Sequence, residues 1–493
     1  MSTNPFTGES YTLPADADDS QSISSFLDRH SDKKCIVIQG LGFVGAVMSL
    51  VCANALTEEY AVIGVDRLDA SSFWKIKGLN SGHFPIKAED PQIESLYKQT
   101  IEKGNFLATF DPTAYAHADV IVVDINLDVD KKHNDNYQLD SYKVDLEGFK
   151  AAIESIGNNC KEDVLVLVET TVPPGTCLHL VKPIINQALE ERGCDSTRWK
   201  LGHSYERVMP GPDYINSIRN FYRVYAGIDE ESAKATEAFL KTIITTDEYP
   251  LTRLGNTNAS EMAKVLENSY RAMNISFMVE WSRFAESAGV NLYEVVNAIR
   301  MRPTHSNMMF PGVGVGGYCL TKDPLLASWS STSLFEGAPL EMSEKAVANN
   351  DLMPVYAFEY LLKREGTLSD RTLLLMGVSY RQDVADTRYT PVETLYNKLE
   401  AQNARILIHD PYVRHWEEKA REVDDDIARA LNEEPEIVII STGHSCYKED
   451  EYFNKIMDAN AMTIYDTVGL FSKPQIESLQ SKHNVIVLGR GDL

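Results

Sequence analysis

Lys34-Cys35-Ile36-Val37-Ile38-Gln39-Gly40-Leu41-Gly42-Phe43-Val44-Gly45 is the stretch on which the fold turns. Lys34 to Ile38 reads as a short apolar strand, and Ala46 to Leu56 as the helix that follows. Between them Gly40, Gly42 and Gly45 give a G-x-G-x-x-G turn that also carries Phe43 and Val44. A second strand, Tyr60 to Val65, is closed by Asp66. The glycines permit a tight turn and let a pyrophosphate approach the backbone. The helix N-terminus stabilises its charge, and the acid accepts from ribose hydroxyls. An acid at Asp66 would repel a 2′-phosphate, which favours NAD over NADP.

Working outward, Asp119 to Ile125 and Val164 to Val168 are further buried-type runs, and Arg223 to Gly227 reads as another strand of the same domain. Apolar runs alternating with helical segments imply a parallel α/β sheet. After about Leu254 the pattern changes. Asn258 to Ala288 keeps helical periodicity without Pro or Gly, and Leu292 to Arg300 adds a second helix. The long segment reads as a helix joining two domains, and its apolar stripe equally as a subunit interface. A second α/β region follows: strand Arg371 to Gly377, helix Val392 to Gln402, then strands Arg405 to His409, Glu436 to Ser441, Thr463 to Tyr465 and Asn484 to Leu488. The expected fold class is therefore α/β, with two Rossmann-like domains of parallel sheet joined by a long central helix. The expected boundaries are a polar N-terminal extension over 1–33, an NAD-binding domain over 34–250, a central helical domain over 251–345, and a C-terminal Rossmann-like domain over 346–493.

Composition narrows the function. The 493 residues carry a formal net charge of −25, which argues against nucleic acid as a general partner, because phosphate backbones need a basic surface. A small phosphorylated ligand must then find its positive field locally. No stretch offers the ~20 uninterrupted apolar residues of a transmembrane helix. The first 32 residues lack a basic start and apolar core, and read as a disordered or loosely docked extension rather than a secretory signal. Seven irregularly spaced cysteines include no pair with zinc-ligand spacing, so no metal site is expected, and reduced cytoplasmic thiols are the simplest account.

Two further stretches carry chemistry. Gly312-Val313-Gly314-Val315-Gly316-Gly317-Tyr318-Cys319-Leu320-Thr321-Lys322-Asp323-Pro324 reads as a loop whose backbone touches a ligand. Beside Lys322 and Asp323, Cys319 reads as a nucleophile or, equally, as a small buried hydrophobe. In Glu261-Met262-Ala263-Lys264-Val265-Leu266-Glu267-Asn268, Lys264 and Asn268 share one helix face. They read as an oxyanion-stabilising pair or as a solvated lysine beside a cap-like asparagine.

Taken together these stretches resemble the UDP-glucose/GDP-mannose dehydrogenase family, the nucleotide-sugar 6-dehydrogenases. The resemblance runs from about Lys33 to Arg490, and it implies that 251–345 is a dimerisation and catalytic-loop domain and 346–493 a nucleotide-sugar-binding domain. It includes Glu169-Thr170-Thr171-Val172-Pro173-Pro174-Gly175-Thr176, Tyr205-Glu206-Arg207-Val208-Met209-Pro210-Gly211, and Gly377-Val378-Ser379-Tyr380-Arg381-Gln382-Asp383 leading to Asp386-Thr387-Arg388. Thr442-Gly443-His444 and Tyr465-Asp466-Thr467 complete it. It implies oxidation of the C6 alcohol of a sugar nucleotide to the uronic acid by two hydride transfers to two NAD, in polysaccharide biosynthesis, by a homodimer or higher homo-oligomer. It implies that Cys319 forms a thiohemiacetal and then a thioester, that Lys264 and Asn268 stabilise the oxyanions, and that Asp323 activates water or supports the lysine. Glu206 matches the acid near the reacting end of the sugar. Lys322 matches a contact to the cofactor phosphates, Thr171 one near the nicotinamide, and Arg388 an arginine reaching the cofactor. Arg207, Gly316, Tyr380 and Arg381 fall where the family holds the sugar nucleotide.

The chain departs from the family in places. Asp124-Ile125-Asn126-Leu127-Asp128 replaces the usual Thr-Pro, so a hydroxyl that helps position water is absent at Leu127. Ser71 stands where an arginine is usual, with Arg67 closer to Asp66, and Pro303-Thr304-His305 lacks an arginine that Arg302 would replace. Val468 also stands where an arginine is common. Glu206-Arg207 followed by Pro210-Gly211 resembles the branch acting on UDP-N-acetylhexosamines, whereas Cys319 to Asp323 is closer to the UDP-glucose version. UDP-N-acetylhexosamine is the preferred expectation, then UDP-glucose, then GDP-mannose. A two-electron hydroxy-acid dehydrogenase would need neither the cysteine nor the C-terminal domain.

Overall fold

The computed structural model describes residues 1–86, 90–205, 207 and 211–493. The chain forms two compact units. One comprises 1–129, 144–265 and 329–337, and the other 130–143, 266–328 and 338–493.

In the first unit the expected strands form: β1 Lys34–Gln39, β2 Tyr60–Val65, β4 Val120–Val123, β5 Leu165–Val168 and β7 Val224–Gly227. Three more join them, β3 Phe106–Thr109, β6 Lys200–His203 and β8 Thr252–Arg253, which the apolar-run pattern missed. The sheet order is β8-β7-β6-β5-β4-β1-β2-β3. Its β3 to β6 portion is the dinucleotide-binding order 3-2-1-4-5-6 with every pairing parallel, and β7 then joins antiparallel to β6. Ile36, Ile38, Val62, Val122 and Leu167 are fully buried, as strands covered on both faces require. Helix α1, Phe43–Ala53, packs its apolar residues against them.

The N-terminal segment is not loose. Helix Ser20–Arg29 buries Ile23 and Phe26 to 1% exposure. The backbone N–H of Asp19 donates to Asp111, and the Thr109 hydroxyl donates to Asp19, at 2.8 and 2.7 Å. Ser2, fully buried, donates to the Ala70 carbonyl and accepts from the Trp74 N–H. Two inward apolar side chains on a short polar helix give a weak periodic signal, which is why composition suggested disorder.

In the second unit β9 Thr372–Met376, β10 Arg405–His409, β11 Ile437–Ile440, β12 Thr463–Asp466 and β13 Asn484–Val487 form an all-parallel sheet in the order β10-β9-β11-β12-β13. This is the doubly wound order 2-1-3-4-5, whose ligand crevice lies beyond the carboxyl ends of its first and third strands. A hairpin, Val129–His133 with Leu139–Val144, belongs with this unit. Both Lys131 and His133 reach Asp351 on helix Glu341–Glu365.

The long helix α2 runs Thr257–Ala288, one residue longer than its periodicity predicts. Helix α3, Leu292–Arg300, follows, and α4 covers Tyr318–Leu334. α4 begins inside the stretch that the glycines mark as a loop.

Replacing Phe26 by Ala is expected to lower the unfolding free energy by about 3 kcal/mol, the usual cost of a fully buried phenyl ring. Urea denaturation measures it, and an unchanged midpoint would mean the helix is not docked.

Candidate active site

The cofactor end is built by the β1–α1 turn. A Cβ at Gly45 would lie 1.9 Å from the Gly40 carbonyl oxygen, so only glycine closes this turn. A Cβ at Gly42 would meet nothing within 4 Å, which leaves open the space above the first turn of α1 where a pyrophosphate would lie. Asp66 accepts from the N–H of Leu41 at 3.1 Å and of Arg67 at 2.8 Å. Its side chain keeps 11% exposure, so it retains an edge for ribose hydroxyls. These residues fit a dinucleotide. Phe43 and Val44 open α1, and the Phe43 carbonyl accepts from Tyr214. Thr171 follows β5, beside Thr170, whose hydroxyl donates to the Val123 carbonyl and accepts from the Ile125 N–H. Leu127 is buried to 2% exposure, so the departure from the family there is apolar packing rather than an altered polar contact.

A buried polar layer lies in the same unit, and the sequence reading gave it no role. Glu169 pairs with Arg223, with exposures of 0% and 4%. His203 Nδ1 lies 2.7 Å from Ser260, and burial, then the charges of Arg223 and Lys264, push its pKa down to about 3. It is neutral at any working pH. Glu261 accepts from the N–H groups of Gly175 at 2.6 Å and Cys177 at 2.8 Å. It thus fixes the Pro173–Thr176 turn to the helix that carries Lys264, one turn further on. Burial pushes Glu261 up to about 7 despite those hydrogen bonds. Lys264 is 8% exposed, not solvated, and its ammonium lies over the Tyr205 ring at 5.4 Å. Arg207 stacks between Tyr205 and Phe221, 5.7 Å from each. Glu206 lies outside the described residues.

In the second unit Cys319 is exposed on the first turn of α4. Unpaired N–H groups at a helix start favour a thiolate. Four residues later Asp323 is fully buried, accepting from Asn268 Nδ2 at 2.6 Å with Lys322 Nζ at 3.6 Å. The glycines before Cys319 are explained by close packing. A Cβ at Gly317, where φ is +77°, would lie 2.8 Å from the Tyr380 ring. Arg388 forms a bidentate pair with Asp386 and lies over the Tyr318 ring at 5.1 Å. Asn268, Lys322 and Asp323 are thus brought together, and Gly316, Tyr380 and Arg388 surround the base of the cysteine turn.

A cavity of about 430 Å³ opens at the carboxyl ends of β9 and β11, where the strand order places a ligand crevice. Tyr380, Arg381, Gln382, Thr442, Lys448 and Gly314 are among its walls. Two cations among these walls supply the local positive field that a diphosphate needs on a chain of this acidity.

Models of the UDP-glucose/GDP-mannose dehydrogenase family match three consecutive parts of the chain: the NAD binding domain over residues 34–244, the central domain over 258–351 and the UDP binding domain over 374–473. The chain belongs to this family, whose members are NAD-dependent oxidoreductases acting on the CH–OH group of nucleotide sugars. It is 27% identical over 468 residues to the UDP-N-acetyl-D-mannosamine dehydrogenase of Methanocaldococcus jannaschii, covering 94% of this chain and 99% of that one. The crystal structure of an NDP-N-acetyl-D-galactosaminuronic acid dehydrogenase from Methanosarcina mazei matches with a TM-score of 0.75 at 26% identity, over 95% of this chain and 98% of that one. A UDP-glucose dehydrogenase structure from Pyrobaculum islandicum reaches the same TM-score at 21% identity, covering 97% and 100%, and shares the fold.

Glu261 titrates higher folded, at about 7, than its ordinary 4.5, so the folded protein binds the proton more tightly. Its contribution to stability is therefore full below pH 4.5 and is lost as pH rises through 7. Wild-type protein is expected to lose up to about 3 kcal/mol relative to Glu261→Gln between pH 4.5 and 7.5. Urea denaturation across that range would refute this by returning parallel curves.

Proposed function

We propose that this chain oxidises the C6 alcohol of a UDP-N-acetylhexosamine to the uronic acid, in two two-electron steps on one cysteine. The placement of exposed Cys319 one helical turn before the buried Asn268–Asp323 pair carries this reading. NAD held at the β1–α1 turn would supply the hydride acceptor, one molecule for each oxidation. The chain's residues do the rest. The first oxidation removes a hydride from C6 and a proton from its hydroxyl, which passes to solvent, and leaves an aldehyde; the Cys319 thiolate then adds to C6, forming a C–S bond and an oxyanion. Asn268 donates one amide N–H to Asp323 and has the other for that oxygen, and resemblance to the family assigns Lys264 to the same developing charge. Loss of the second hydride from C6 leaves a thioester. Water then adds to the carbonyl, the C–S bond breaks, and carboxylate and thiolate form with release of water's two protons to solvent. Asp323 keeps Asn268 in register throughout. Resemblance to the family assigns Glu206 and Arg207 to the sugar, and Lys322, Thr171 and Arg388 to the cofactor. The names of the similar proteins support an N-acetylated sugar.

The enzyme works in the cytoplasm, as its free cysteines suggest, and as a homodimer. Leu266, Tyr270, Phe277, Trp281 and Phe284 of α2 are 44–63% exposed along one helix, a stripe that a second copy would cover. Sedimentation equilibrium returning a monomer would remove this part of the proposal.

Assayed on a panel of UDP- and GDP-sugars, the protein is expected to show its highest kcat/KM with a UDP-N-acetylhexosamine, about tenfold or more above UDP-glucose. A preference for UDP-glucose or GDP-mannose would overturn the choice of sugar. Cys319→Ala is expected to cut acid formation by about 10³-fold or more while nucleotide-sugar binding persists.

A further inference from the structure

The two sheets each place an aspartate after their second strand, and the two acids have opposite surroundings. Asp66, after β2, takes two backbone N–H groups and keeps an exposed edge. Asp410, after β10, is fully buried. Its carboxylate accepts from the N–H groups of Val378 at 2.8 Å, Ser379 at 3.4 Å, Tyr412 at 2.9 Å and Val413 at 3.1 Å, and from His444 Nε2 at 3.1 Å. A carboxylate offers about four lone-pair sites, so this one is saturated and has none for a ribose. Burial alone would raise its pKa, but hydrogen bonds from His444 and the backbone hold it below the usual aspartate value.

His444, also fully buried, follows β11 and works in both directions. Its Nδ1 accepts from the N–H of Asp383 at 2.9 Å. A backbone N–H can only donate, so Nδ1 is bare and Nε2 carries the proton. That proton faces Asp410, with the Ser379 oxygen as a second acceptor at 3.3 Å. Ser379 gives its own proton to the Arg381 carbonyl at 2.9 Å. Asp383 holds a left-handed φ of +58°, uncommon for a non-glycine residue. It is kept there by His444 and by Ser445, whose N–H donates to its carboxylate at 2.7 Å and whose hydroxyl donates as well. The loop between Val378 and Asp383 is thus anchored at both ends, and its middle residues, Tyr380, Arg381 and Gln382, form one wall of the 430 Å³ cavity.

We infer that Asp410 and His444 are positioning residues for the nucleotide: together they set the 378–383 loop in the shape that receives it. The second sheet has turned its ribose-type acid inward and reads its nucleotide with an anchored loop. This rests on the proposed reading of the cavity as the nucleotide site. A purely structural network would cost stability when broken and leave affinity intact.

The test uses full-length protein, with UDP binding measured by calorimetry alongside KM for the nucleotide sugar, KM for NAD and kcat. His444→Leu is expected to raise the Kd of UDP and the sugar KM by about tenfold, as lost hydrogen bonds would. The kcat and the KM for NAD stay within about twofold of wild type. His444→Asn, whose side-chain oxygen restores an acceptor for the Asp383 N–H, recovers part of the affinity. Ser445→Ala, at an exposed position, raises Kd by about threefold and keeps the protein folded if His444→Leu is too unstable to assay. Folded variants with wild-type UDP affinity overturn the inference, as does a fall in kcat at constant sugar KM. Wild-type protein that binds no UDP would instead overturn the reading of the cavity, which separates the two failures.

Discussion

The Asn268 amide donates to the fully buried Asp323 carboxylate at 2.6 Å, and this bond joins the long helix to the helix that starts at the candidate nucleophile. A buried carboxylate is costly unless it is paired, so Asn268 and Lys322 have little freedom to leave it. Cys319 sits one turn before Asp323, and its position follows from theirs. The glycines ahead of it obey a second constraint, since side chains at Gly316 or Gly317 would occupy the space of Tyr380. The thiol is therefore placed by packing on one side and by a buried polar pair on the other.

Both sheets follow the rule that ligands bind beyond the carboxyl ends of parallel strands at a switch in strand order. They apply it differently. The first uses a glycine turn, an open helix start and an acid that keeps a small exposed edge. The second has its acid saturated by donors, and its crevice is walled by Tyr380, Arg381 and Lys448. One chain can thus hold two anionic nucleotides despite a net charge of −25, because each site carries its own donors.

Much of this was legible in the sequence. The glycine turn, the first two strands, the long helix and the second sheet stand where apolar runs and periodicity put them, and family membership followed from ordered motifs. The strands Phe106–Thr109 and Lys200–His203 escaped because each is only four residues long and neither is a continuous apolar run. The N-terminal helix escaped because two buried residues anchor it. Within the site, the pairing of Asn268 with Asp323, 55 residues apart, is invisible to spacing. Glu261 and His444 lay inside quoted motifs, yet their hydrogen bonds to Gly175, Cys177 and Asp383 depend on chain folding alone. On its own segment Lys264 reads better as a solvated surface residue, whereas in the fold it is buried against Tyr205.

The central claim is that one thiol serves two successive oxidations. The most direct measurement is the number of NADH formed per nucleotide sugar consumed, with the product identified by mass spectrometry. The account predicts two NADH and a uronic acid. One NADH with a stable aldehyde or ketone product would contradict it.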